Sequence, residues 1–165
     1  MKTLLILRHA KSSWKHPELA DYERPLNKRG KRDAPRMGQL LGEQDLIPDL
    51  IISSSATRAR KTTEIVAQES GYDGEIIFER GLYAAWPDAY IEALVELPES
   101  VKSVLVVGHN PGLEDLIEAL TGAYERMPTA ALAFVKLPIQ RWDQLVEEEI
   151  GELVDVWRPK EIEIR

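Results

Sequence analysis

The sequence predicts an α/β fold: a three-layer α/β/α sandwich with a mostly parallel central sheet and an antiparallel strand at one side. Three observations carry that prediction. Short apolar, β-branched runs recur along the chain, helix-like patterns fill most of the intervals between the first four, and the last two runs are joined by a polar loop instead of a helix.

The first run, Thr3–Leu7, reads as a buried strand. The helix that follows is expected to begin near Lys28, to run through DAPRMGQLLGEQ, and to stop before Ile47-Pro48, because a proline biases its predecessor away from helix. Pro35 lies inside that segment and competes with so early a start. Leu50–Ile52 is the second strand. After IISSS, Ser55 or Thr57 is expected to cap a helix that continues to about Ser70, where Gly71 supplies a stop. Glu75–Phe78 is a third strand, and a helix opens near Pro87-Asp88 and carries AYIEALVEL. Val101–Val107 is the fourth strand, and the helix after Pro111 carries LEDLIEALTG to its terminal glycine. Ala131–Leu137 and ELVDVW, joined by a polar loop around Gln140–Glu149, read as an antiparallel pair. No internal repeat or Gly/Ser-rich linker interrupts the pattern, so one domain over residues 1–165 is expected.

Composition narrows the chemistry. With no cysteine, the chain has no thiolate nucleophile, Cys-ligated zinc or disulfide. A formal net charge of −7 repels polyanions at long range, so neither nucleic acid nor an anionic membrane is an expected partner. The apolar run at the start is too short for a signal-peptide core, and a cytoplasmic enzyme is expected. Against the acidic background, cations gather in RHAKSSWK and TRARKT. Such clusters are usually solvated faces and gain meaning only if they converge.

Three strand ends give them a place to do so. In open α/β sheets, ligands bind beyond the carboxyl ends of the parallel strands. Here LLIL ends in Arg8-His9, LIISSS leads to Thr57-Arg58, and VLVVG ends in His109-Asn110. A lone histidine after a strand is more often structural than catalytic, but two histidines and two arginines at three such ends are a coincidence that asks for an anion. Guanidinium forks match phosphate oxygens and would repel a dication, and neither HExxH spacing nor a cysteine ligand completes a metal site. No GxGxxG follows the first strand, and neither GxxxxGK[ST] nor GxSxG occurs.

At RHAK (Arg8–Lys11), RPLNKRG (Arg24–Gly30), SSSATRARKT (Ser53–Thr62) and VVGHNPG (Val106–Gly112), the chain resembles the histidine phosphatase superfamily, and within it the SixA-type phosphohistidine phosphatases. The resemblance covers nearly the whole chain. It implies a phosphatase in which His9 accepts the phosphoryl group, Arg8 and Arg58 hold its oxygens, and His109 adds a further contact. Ser55, Asn110 and Lys11 are additional substrate-binding candidates. It implies no metal or other cofactor. For His9 to attack, one ring nitrogen must be unprotonated, which nearby guanidinium charge favours, while the other donates to a backbone carbonyl.

Many members of the superfamily that cleave phosphoesters place a glutamate acid in the region aligned with FERGLYAAW. Glu79 lies about one residue out of that register and reads equally as an exposed strand-end glutamate. An alkoxide leaves poorly without a proton, whereas imidazole leaves readily, so loss of the acid favours phosphoramidates. The expected partner is therefore a phosphorylated protein bearing phosphohistidine, or else a small phosphorylated substrate. A small-molecule phosphomonoesterase is the alternative, and a noncatalytic phosphate-binding module the remoter one. Trp14, Tyr83 and Trp86 are candidates for an apolar rim, and Arg24 for an ion pair that anchors its loop.

Overall fold

Six strands and four α-helices are present among residues 1–162, which the computed structural model describes. In chain order they are β1 (Lys2–Arg8), α1 (Lys28–Glu43), β2 (Leu50–Ser54), α2 (Thr57–Ser70), β3 (Ile76–Glu79), α3 (Pro87–Val95), β4 (Ser103–Gly108), α4 (Gly112–Thr121), β5 (Leu132–Leu137) and β6 (Glu152–Trp157). The strands form one sheet in the order β3-β2-β4-β1-β5-β6. β1 to β4 run parallel, β5 is antiparallel to β1, and β6 reverses again at the edge.

The layers follow from alternation. Leu4 and Ile6 of β1, Leu50 and Ile52 of β2, and Val104 and Val106 of β4 face α3 and α4, where Tyr90, Leu94, Leu113, Leu116, Ile117 and Leu120 are buried together with Trp142. Leu5, Leu7, Ile51, Leu105 and Val107 point the other way, onto Ala34, Met37 and Leu41 of α1 and Ala59 and Val66 of α2. Each fully buried leucine or isoleucine contributes about 1.5–3 kcal/mol relative to exposure, so a one-residue register slip in β1 is costly on both faces at once.

The helix boundaries have local causes. Asn27 caps α1 by accepting from the Gly30 amide at 2.9 Å, which fixes the start ahead of Pro35. Gly71 and Gly122 close α2 and α4 in the left-handed conformation, with φ of 78° and 75°. The start of α2 differs from expectation. Ala56 is the N-cap residue and, with only a methyl side chain, gives no cap bond; the Ser55 hydroxyl is engaged by Tyr22, and the Ala56 amide donates back to Ser54 Oγ at 3.2 Å. Pro87 opens α3 at its first turn, where a missing N–H costs nothing. No helix among the described residues is long and apolar enough to cross a membrane.

Candidate active site

The register of the parallel strands places the first two candidates side by side. Arg8 pairs with Gly108 across β1 and β4, and the His9 amide donates to the Gly108 carbonyl at 3.1 Å. The chain turns out of the sheet at both points, so the rings of His9 and His109 meet with centroids 5.0 Å apart. Arg58, in the first turn of α2, directs Nε toward His9 Nε2 at 3.4 Å. Arg8, His9, Arg58 and His109 thus line one cavity of about 190 Å³, together with Lys11 and Asn110. The two cationic segments converge here through Arg8, Lys11 and Arg58.

The His9 ring is oriented by its own backbone. Nδ1 lies 2.8 Å from the Ala10 carbonyl, an acceptor only, so Nδ1 carries the proton and Nε2 keeps its lone pair. Ala10 is held in turn. Its amide donates to Thr62 Oγ1 at 3.0 Å, and that hydroxyl donates to the Arg58 carbonyl at 2.7 Å. Burial pushes the pKa of His9 well below its ordinary value of 6.5, with His109, Arg58 and Arg8 adding in the same direction. The expectation that guanidinium charge favours the neutral ring holds, but desolvation is the larger cause.

His109 is also buried, and its pKa is lowered to about 4, first by desolvation and then by Arg58. Its Nε2 lies 2.8 Å from Ser54 Oγ, while Nδ1 is buried with no protein partner. Arg8 Nη1 and Asn110 Nδ2 both donate to the Met127 carbonyl, at 3.2 and 2.7 Å, and Arg8 Nε and Asn110 Oδ1 have no protein partner. Buried polar groups of this kind normally find one.

Asp21 is a residue that none of the motifs flags. It accepts from Arg58 Nη2 at 2.9 Å, from Arg24 Nη1 at 2.8 Å and from the Tyr83 hydroxyl at 2.6 Å, and its backbone carbonyl accepts from Arg58 Nη1 at 2.6 Å. The Tyr83 bond, followed by the two arginines, holds its carboxyl far below the usual carboxylate range. Arg24 forms the expected ion pair, and it also donates to Ser12 Oγ and stacks on Trp14, with its guanidinium 3.3 Å from the ring centre. The loop carrying these residues is closed at its base by Ser13 N–H to the Pro25 carbonyl at 2.8 Å and Asn27 N–H to the Lys11 carbonyl at 3.0 Å.

Two candidates lie elsewhere. Ser55 bonds Tyr22 and does not line the cavity; Ser54, its neighbour, is the serine that reaches His109. Glu79 is exposed at the end of β3 and lines a different groove with Leu82 and Glu92. Of the aromatic candidates, Trp14 lines the cavity and Tyr83 meets His109 edge-on at 5.4 Å, whereas Trp86 lies in a separate groove with Pro87 and Glu118.

A family model for the histidine phosphatase superfamily (branch 1) matches residues 4–83, and the whole fold superposes on a candidate phosphohistidine phosphatase SixA from Agrobacterium tumefaciens. That structure is 30% identical, with a TM-score of 0.82 over 96% of this chain and 98% of the other. The chain belongs to the histidine phosphatase superfamily. A second structure, a protein histidine phosphatase SixA complexed with tungstate, shares the fold at a TM-score of 0.79 and 24% identity, over 96% of this chain and 97% of that one. An uncharacterised chloroplast protein of Arabidopsis thaliana is 32% identical over 152 residues, which are 87% of this chain and 70% of the relative.

Proposed function

We propose that the protein removes the phosphoryl group from phosphohistidine on another protein, through a phosphorylated intermediate at His9. The observation that carries this reading is the proton inventory of the cavity: a histidine nitrogen that is unprotonated and accepts only a long 3.4 Å bond from Arg58 Nε, surrounded by cationic and neutral donors, with no carboxylate among its described lining residues. Asp21 reaches the edge of the site but is held ionised and has no proton to give. Glu79 belongs to another groove. A phosphoester, whose alkoxide must be protonated as it leaves, is poorly served; a phosphoramidate, whose imidazole leaves readily, is well served.

In the first step the lone pair on His9 Nε2 forms a bond to phosphorus as the bond to the substrate imidazole breaks, and that imidazole takes its proton from water. Arg8 and Arg58 hold the phosphoryl oxygens and His109 Nδ1 donates to one of them, stabilising charge with groups already in place. In the second step water attacks phosphorus, the bond to Nε2 breaks, and phosphate is released. Lys11 and Asn110 line the same space.

The test is a phosphohistidine-bearing protein incubated with the parent and with His9→Ala. The parent releases phosphate and, when quenched rapidly with labelled substrate, carries acid-labile, base-stable label; the variant does neither. Full turnover by His9→Ala overturns the reading.

A further inference from the structure

A second groove adjoins the active site and has the opposite charge from the chain as a whole. It is a cavity of about 160 Å³ whose lining includes Arg29, Arg126, Arg158, Lys160 and Thr129, with Glu161 its one carboxylate among the described residues. Thr129 also lines the phosphate site, so the two spaces share a wall. Four cations on one short groove contrast with a net charge of −7 for the chain.

These cations are not equivalent. Each nitrogen of Arg158 is engaged: it pairs with Glu125 at 2.8 Å and Glu161 at 3.2 Å and donates to the Arg126 carbonyl at 3.0 Å. It serves as scaffold. Arg126 and Lys160 are exposed and have no acidic partner among the described residues, and Arg29 approaches Asp33 only through Nε, at 3.6 Å. The segment between α4 and β5 that carries Arg126 is clamped from both sides. Arg158 holds the Arg126 carbonyl, Arg8 and Asn110 hold the next carbonyl, that of Met127, and the Ala130 amide donates to the carbonyls of Arg8 and His9. The backbone that carries Arg126 is therefore fixed relative to the nucleophile by Arg8 and Asn110, which also line the phosphate site.

We infer that this groove docks an acidic segment of the phosphoprotein substrate beside its phosphohistidine, with carboxylates meeting Arg29, Arg126 and Lys160. This rests on the phosphatase reading and adds the chemistry of the partner. Exposed charge pairs of this kind contribute modest affinity and strong selection between partners. The shortness of the groove and the acidic remainder of the molecule favour a few carboxylates over a long polyanion.

The experiment compares two synthetic peptides, each bearing phosphohistidine, one flanked by Asp and Glu and the other by Asn and Gln, with phosphoimidazole as a substrate too small to reach the groove. The parent should favour the acidic peptide by about tenfold in kcat/KM, through KM, and added salt should erase the preference. The double variant Arg126→Gln/Lys160→Gln should lose the preference and keep the parent's rate on phosphoimidazole. Equal rates on the two peptides by the parent, or a preference retained by the double variant, overturns the docking. If none of the three substrates is hydrolysed, the phosphatase reading falls, and fluorescence anisotropy with a labelled, unphosphorylated acidic peptide decides the docking separately. Binding about tenfold weaker in the double variant supports it; equal binding, or tighter binding of a single-stranded oligonucleotide than of the peptide, overturns it.

Discussion

Replacing Ser54 by alanine removes one hydroxyl and disturbs two things at once. Ser54 is fully buried, accepts from the Ala56 amide at 3.2 Å, and lies 2.8 Å from His109 Nε2. A buried hydroxyl proton needs an acceptor, and Nε2 is the one within reach; with the proton directed there, the imidazole proton sits on Nδ1. That is the nitrogen with no protein partner, the one that donates to a phosphoryl oxygen in the proposed mechanism. Ser54→Ala leaves the Ala56 N–H unsatisfied and frees His109 to take the other tautomer. The first effect costs about 1–3 kcal/mol of stability, which for a chain of this size lowers Tm by about 2–4 °C per kcal/mol. The second removes a hydrogen bond to the transferring group worth about 1–3 kcal/mol, so kcat/KM on phosphoimidazole should fall roughly tenfold to a hundredfold. Nitrogen-15 spectra of the imidazoles read the tautomer directly. A variant with the parent's kcat/KM, or a parent spectrum with the His109 proton on Nε2, refutes the reasoning.

Acid should weaken the fold through the same histidines. Their folded pKa values lie below the ordinary 6.5, so below that pH the unfolded chain binds more protons than the native one, and stability is lost as pH falls from about 6.5 toward the His109 value of about 4. For His109 the full displacement corresponds to about 3 kcal/mol; urea titrations at pH 7 and 4.5 should show a smaller loss in His109→Asn than in the parent, and an equal loss counts against the assignment. The acid limb of kcat/KM should fall well below pH 6.5, because His9 stays neutral there; a limb at or above 6.5 contradicts its burial. In Gly30→Ala, the new Cβ would lie 2.2 Å from the Lys11 carbonyl oxygen, so the backbone must move, and Tm should drop by several degrees, about 1–3 kcal/mol. Glu79→Gln should leave phosphoramidate hydrolysis within about twofold of the parent, and a large loss would place a working acid in that groove.

Much of this was legible because strand parity and strand ends are local signals. The runs at Thr3–Leu7 and Val101–Val107 specify both faces of the sheet, and the residues just past them, His9 and His109, fall together once those strands pair in parallel. Counting in twos from Leu50 and Ile52 also points to Ser54 in place of Ser55, a signal present in the sequence that the family resemblance, carried to Ser55, passes over. Asp21 had no such signal. It opens a single 3-10 turn (Asp21–Glu23) in the connection well beyond β1, and only the folded chain brings it to Arg58 and Tyr83. Arg29, Arg126 and Lys160 come from three distant segments, so their groove exists only in three dimensions.

The loop between β1 and α1 is tied at its neck, by the bonds joining Ser13 to Pro25 and Lys11 to Asn27, and not at its tip, where residues 15–18 are exposed. A loop fastened in this way behaves as an interchangeable part. Lengthening its tip costs chain entropy that grows only logarithmically, about 0.6 kcal/mol per doubling, and the added residues would project from beyond the neck without pulling on His9. Residues grafted between Pro17 and Glu18 would thus add contacts beside the cavity while His9 and its neighbours stay as they are.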